Sequence, residues 1–280
     1  MFRILSHLLF GGCLFNLASC KTFKDNTTYF QPIDVVEQGL FTSGIEGPCF
    51  QKNEFINLPQ GSVGNGIRVH PDGDLLVANY VGHNILKINI LNKKVQVFAH
   101  NKDMNQPNDL AFHPNGFLYA SDPNWKMSTG QLWLIRSDGA TFCLEKNMGT
   151  TNGIEVSPDG KHLFVNESIQ RKIWKYKIDK EGFISDKRLF HQFADFGLDG
   201  MRCDRKGNLY VTRHGKGTVV CLNGLGKIVK EIQLKGSKPS NITFGGKYGK
   251  CAYVTLQDRG MLESFLVPFC GQDWFRFQKN

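Results

Sequence analysis

Several short segments of this chain open on the same kind of polar residue. Asn65-Gly66 leads IRVHPDGDLLVANY, Asn108-Asp109 leads LAFHPNGFLYASDP, and Asn152-Gly153 leads IEVSPDGKHLFVNES. Asp199-Gly200 leads MRCDRKGNLYVTRH, and Asn241-Ile242 leads TFGGKYGKCAYVTL. Glu46-Gly47-Pro48 has the same form and supplies a sixth member. An isolated Asn-Gly step shapes a bend or caps a strand. Leaders repeated in register about every 44 residues point instead to one shared site. Amide carbonyls and carboxylates converging on a point make a hard oxygen site, suited to Ca2+ or Mg2+ and not to copper. Two acids, Glu46 and Asp199, would nearly neutralise a divalent ion. Such an ion polarises a carbonyl oxygen and stabilises developing negative charge. A carboxylate beside it activates water or attacks directly. Other hydrolase signatures, G-x-S-x-G and H-E-x-x-H, do not occur in the chain.

The elements that must position these leaders are short strands. Each leader opens an apolar run, followed by a turn of the Pro-Asp-Gly or Pro-Asn-Gly kind and a second run ending in a polar patch. Proline presets φ and glycine accepts positive φ, so the step reads as a hairpin. Further runs, such as NILKINI and KKVQVFA, complete each unit. Four short strands in roughly 40–50 residues is a β-propeller blade, and no long window has helical periodicity. In a propeller the innermost strands line a central channel, which brings the leaders together. The His-Pro steps at 70–71 and 113–114 fall in the turns and read as surface structure.

The expected fold is all-β, a six-bladed β-propeller with a truncated first blade, occupying residues 31–280. Glu46 and Asn65 are only about 19 residues apart, against roughly 44 for the other steps. The segment QKNEFINLP therefore passes directly from an inner-strand pattern to an outer-strand one, and the middle two strands have no sequence.

Residues 1–19 read as a signal peptide: Arg3 gives a positive start and residues 4–18 are mostly apolar, too short a stretch to span a membrane. Leu17-Ala18-Ser19-Cys20 resembles the bacterial lipobox, which makes Cys20 the lipidation site of a membrane-anchored lipoprotein facing the periplasm. An ordinary signal peptide, giving a secreted protein, is the alternative. Residues 20–30 form a polar tether. None of the 8 cysteines makes a C-x-x-C pair, and Cys143, Cys203, Cys221 and Cys251 lie in apolar runs as small buried hydrophobes. The net charge of +9 is dispersed, with no long basic run and no nucleic-acid motif. The chain is expected to act as a monomer on a small molecule, with no nucleic-acid partner.

Together these motifs resemble the SMP-30/gluconolactonase/LRE-like family of six-bladed propellers over about residues 32–268. The matching stretches are EGP at 46–48, PNDLAFHPNGFLYASDP at 107–123, TNGIEVSPDGKHLFVNES at 151–168, DGMRCDRKGNLYVTRHGKGTVV at 199–220 and NITFGGKYGKCAYVT at 241–255. The resemblance implies a divalent cation, most often Ca2+ with Mg2+, Mn2+ or Zn2+ as alternatives, held by Glu46, Asn152 and Asp199. It implies that Asn108 contacts metal or substrate, and that Asp199 is the general base or, as in related phosphotriesterase propellers, the nucleophile. By the same resemblance, residues 30–38, FQPIDVVEQ, are expected to pair with the last blade and close the ring. The implied activity is metal-dependent hydrolysis of lactones or related esters. A catalytically weak or inactive envelope-anchored binding propeller is the alternative. Sugar-lactone members carry an arginine two residues before the residue matching Asn108; this chain has Gln106. Trp125 reads either as an apolar wall of the site or as blade packing.

Overall fold

In the computed structural model, residues 3–7, 30–34, 49–50 and 54–273 are described. They form an all-β propeller. Five four-stranded antiparallel meanders follow one another along the chain. Blade I comprises Gly64–Val69, Leu75–Asn79, Asn84–Ile88 and Val95–His100. Blade II comprises Leu110–Phe112, Leu118–Asn124, Thr129–Ile135 and Thr141–Met148. Blade III comprises Thr151–Val156, His162–Glu167, Lys172–Ile178 and Ile184–Gln192. Blade IV comprises Met201–Cys203, Leu209–Arg213, Thr218–Leu222 and Ile228–Gln233. Blade V comprises Pro239–Gly245, Cys251–Leu256 and Met261–Leu266, with Ile33–Asp34 as its fourth strand. The first strands of successive blades lie against one another, so they line the axis.

The closing strand is where the family resemblance puts it: Ile33 and Asp34 pair with Ser264 and Glu263. Arg259 and Lys235 hold the Asp34 carboxylate at 2.8 and 3.0 Å. The blade count differs from expectation. Among the described residues there are five complete blades, not six with a truncated first. Among the described residues, the short span before blade I supplies the strands Cys49–Phe50 and Glu54–Asn57. These flank Arg3–His7 in a separate three-stranded sheet, parallel on one side and antiparallel on the other. Part of the segment read as a signal peptide thus lies in a strand. Glu46 and Cys20 fall outside the described residues, as do the rest of the proposed signal and most of the tether.

Strand alternation explains how blades stack. Successive side chains point to opposite faces. On the second strand of blade I, Leu76 and Ala78 pack with Leu118, Trp133 and Ile135 of blade II. Leu75 and Val77 turn the other way, into a cluster with Leu86, Ile88 and Leu58. The same arrangement joins blades II to III, III to IV and IV to V. Each large apolar side chain so buried contributes roughly 1.5–3 kcal/mol. Cys203 and Cys221 belong to these clusters, and burial pushes the Cys221 thiol up to about 12. His113 is not surface structure: it is buried and its Nε2 meets the Gly160 carbonyl at 2.8 Å, linking blades II and III. No helix among the described residues is long and apolar enough to cross a membrane.

Candidate functional site

The glycines that follow the leaders Asn65, Asn152 and Asp199 are where neighbouring blades touch. Gly66 N–H donates to the Asn108 carbonyl at 2.7 Å, and Gly200 N–H donates to the Ser240 carbonyl at 2.8 Å. A Cβ on Gly66 would lie 2.6 Å from the Asn108 oxygen, so no larger residue fits without movement. The leader itself is then left at the end of the channel. Asn65, Asn108, Asn152 and Asp199 do converge there, lining one cavity of about 340 Å3.

Asn241, expected in that ring, does not line the cavity. Its Oδ1 accepts from Ile242 N–H at 2.9 Å, and it packs against Gly200. The hydrogen bonds fix the register. Tyr80 N–H donates to Val63 O, Ser168 N–H to Thr150 O and Gln257 N–H to Lys238 O, in each case two residues before a leader. The leader of blade V is therefore Ser240, and Asn241 sits at the glycine position.

A second set of lining residues completes the cavity: Tyr80, Trp125, Ser168, His214 and Gln257. Each is the residue immediately after the second strand of its blade. An antiparallel hairpin puts that position beside the start of the first strand, so one end of each of blades I to IV delivers two side chains, and blade V delivers Gln257. The only signal for this set in the sequence is its spacing, because the five residue types share no chemistry. Trp125 is a wall of the site and opens a short 3-10 turn, Trp125–Met127, capped by Asn124. Its N–H donates to Gln106 Oε1 at 3.3 Å. Gln106 thus supports Trp125 from behind and does not line the cavity.

The loop carrying Gln106 and Asn108 is held by Asp122. This buried carboxylate accepts from the backbone of Asn105 and Gln106 and, at 2.8 Å each, from Gln131 and Trp133. Burial pushes its carboxyl up, and the four donors oppose that shift. Asp199 is anchored through its backbone: its N–H donates to Thr212 O at 3.1 Å, and its carbonyl accepts from Asn166 Nδ2 at 2.6 Å. Among the lining residues the acidic and imidazole groups are Asp199 and His214 alone, and no lysine or arginine is present. Tyr80 is the remaining titratable lining group, pushed up by burial.

Three residues further along the first strands, the channel changes character. Arg202 of blade IV grips Asp109 of blade II through both carboxylate oxygens, at 2.9 and 3.3 Å. Arg68 of blade I meets Glu155 of blade III at 3.1 Å and Asp273 at 3.5 Å. Gln272 also donates to Glu155 and to Val156 O. In a regular strand, residues three apart face opposite sides. Register shifts at Gly64/Ile67 and Thr151/Ile154 re-aim the chain, so that Asn65 and Arg68, and likewise Asn152 and Glu155, both address the channel.

The chemistry of the donors fits a hard divalent cation. Asp199 supplies a carboxylate, and Asn65, Asn108 and Asn152 supply amide oxygens. Among the described residues no three His, Cys, Asp or Glu side chains cluster to hold a metal.

Residues 20–258 match the SMP-30/Gluconolactonase/LRE-like region, and the chain belongs to this family. It is 30% identical over 217 residues to a gluconolactonase from Zymomonas mobilis, covering 68% of this chain and 60% of that protein. It is 26% identical over 151 residues to a pentonolactonase from Haloferax volcanii, covering 53% of this chain and 52% of the relative. The chain thus spans about half to three-fifths of the length of these relatives. In fold it is similar to a calcium-binding protein, regucalcin, from Agrobacterium tumefaciens, with a TM-score of 0.68 at 19% identity over 78% of this chain and 79% of the other.

Proposed function

We propose that this protein is a divalent-cation-dependent hydrolase of lactones or related esters. The observation that carries the reading is the single cavity in which Asn108, Asn152 and Asp199 meet with Trp125. Relatives named as lactonases support the reaction class. Asp199 and Asn152 would hold the cation, together with Glu46, which lies outside the described residues. Ca2+ is the expected ion, and when bound it supplies Lewis-acid polarisation of the substrate carbonyl.

The chain's own residues do the rest. Asn108 orients the substrate carbonyl by its side-chain amide. Trp125 covers the acyl or ring face and excludes water. Asp199 is the general base that takes a proton from the attacking water. Among the described lining residues there is no lysine or arginine, and Gln106 is turned to Trp125, so none of them offers a cationic group to the hydroxyls of a sugar lactone. We infer lactones and esters less polar than sugar lactones as the substrate class. We also infer export through residues 1–19 and anchoring on a periplasmic membrane surface through lipid on Cys20. Palmitate labelling that survives Cys20→Ala would count against the anchor.

The test is a calorimetric titration of the full chain with Ca2+, followed by a panel of apolar lactones, aldonolactones and aryl esters. The expected result is cation binding and hydrolysis of the apolar lactones and aryl esters in preference to the aldonolactones. Cation binding without turnover of any substrate would instead favour a binding propeller.

A further inference from the structure

Hydrolysis of a lactone moves two protons: one leaves the attacking water, and one reaches the alkoxide expelled when the ring opens. Resting on the hydrolase reading above, Asp199 accounts for the first. The second has no donor among the amides. Among the described lining residues, the one other side chain that can both give and take a proton in such a step is the His214 imidazole.

His214 is fixed close to Asp199 by the hairpin of blade IV. Asp199 N–H bonds to Thr212 O, two residues before His214. Gly197, two residues before Asp199, donates its N–H to the His214 carbonyl at 3.1 Å. The backbone at His214 is therefore tied to the segment that delivers the base. The ring is held from blade V: Nε2–H donates to Gln257 Oε1 at 3.0 Å. An amide oxygen only accepts, so it favours a protonated Nε2 and leaves Nδ1 as the position that exchanges a proton.

The charged neighbours of the ring are few. Arg213 turns away, over the Phe193 ring at 3.8 Å and onto Asp195 at 2.7 Å. Asp258 is engaged by the N–H groups of Ser237 and Lys238. Asp199 lines the same cavity.

We propose that His214 is the general acid of this site and Gln257 its positioning residue. As the water oxygen bonds to the acyl carbon, the Asp199 carboxylate takes the water's proton. As the acyl carbon–ring oxygen bond breaks, the departing oxygen takes the Nδ1 proton of the His214 imidazolium. The proton on Asp199 then passes to solvent, and His214 takes one up, which restores both groups. The sum is one water added across one ester bond.

A general acid matters when the leaving oxygen is basic and matters little when it is not. The test is therefore a pair of substrates, an aliphatic δ-lactone and a p-nitrophenyl ester, with wild type, His214→Gln and Gln257→Leu of the full chain. In His214→Gln, kcat on the lactone falls about 100-fold or more, within the range of a lost general acid. Turnover of the p-nitrophenyl ester changes by less than about threefold, because p-nitrophenolate leaves without a proton. The alkaline limb of the lactone pH profile disappears in the same variant. Gln257→Leu keeps that limb and shows a smaller lactone loss. Equal losses on both substrates, or no loss on either, would overturn the role of His214. A wild type that turns over neither substrate would overturn the hydrolase reading itself, and the acid with it.

Discussion

The first strands of the blades build two very different places within three residues of each other. At their starts, Asn65, Asn108, Asn152 and Asp199 face an open cavity of about 340 Å3. Three residues on, Arg68, Glu155 and Arg202, with Asp109, fill the channel with charges matched across the axis. The first place keeps oxygen donors facing space, an arrangement useful only to something that enters. The second is sealed. Its pairs join blade I to III and II to IV, which are not neighbours in the ring, so they tie together blades that the apolar clusters do not connect. A buried pair adds little when whole but is expensive to break on one side. The sealed end should therefore govern stability, and the open end activity.

Breaking one sealed pair is the harshest test of that division. Arg202→Met leaves Asp109 buried and unpaired and should cost about 3–5 kcal/mol in chemical denaturation. Adding Asp109→Leu should recover most of the loss. No recovery in the double variant would mean that the pair does more than balance charge.

The boundary between the two places is next. Gly66→Ala puts a Cβ within 2.6 Å of the Asn108 oxygen and 2.7 Å of Asp109. The clash should cost about 1–3 kcal/mol. Because it displaces Asn108 as well, it should also lower lactone turnover per folded molecule, an effect that Arg202→Met should not share.

Trp125→Ala touches only the open end. It should raise KM for an apolar lactone roughly tenfold, equivalent to about 1.4 kcal/mol, and leave the denaturation midpoint nearly unchanged. The smallest effect lies outside the channel. Asp72, in the first turn of blade I, is partly buried, which works against ionisation. Lys87, the Asp74 N–H and His70 nevertheless bring its carboxyl from 3.8 down to about 2. The depressed value means that its stabilisation is complete above the ordinary carboxylate range and is lost as the pH falls through about 2. The side chain is 44% exposed, so screening by solvent keeps the contribution of Asp72 below about 1 kcal/mol. Acid denaturation of Asp72→Asn should show that loss already present at neutral pH.

How much of this was legible in the sequence follows from the same contrast. The leaders at Asn65, Asn108, Asn152 and Asp199 were readable because one residue type recurs before an apolar run, with a glycine or aspartate behind it. The strand at Ile33–Asp34 was legible through the family resemblance, which closes the ring with a segment near the start of the chain. Asn241 was misplaced by one position: Ser240 occupies the leader's place, and a serine before an asparagine hides the register that the backbone bonds define. The second lining set escaped because Tyr80, Ser168, His214 and Gln257 share a position and not a chemistry. The sealed end escaped because Arg68 and Arg202 look like surface charges in the sequence, and only the register shift at Gly64/Ile67 turns Arg68 into the channel. The expected truncated first blade rested on the short span before Asn65, whose described strands join Arg3–His7 instead.

The claim on which the rest depends is that Asp199 carries the chemistry of the open end. The rate of apolar-lactone hydrolysis by Asp199→Ala, measured beside the wild type in saturating Ca2+, tests it most directly. A fall of about 100- to 10,000-fold at unchanged fold stability is the predicted result. Hydrolysis at the wild-type rate would contradict it.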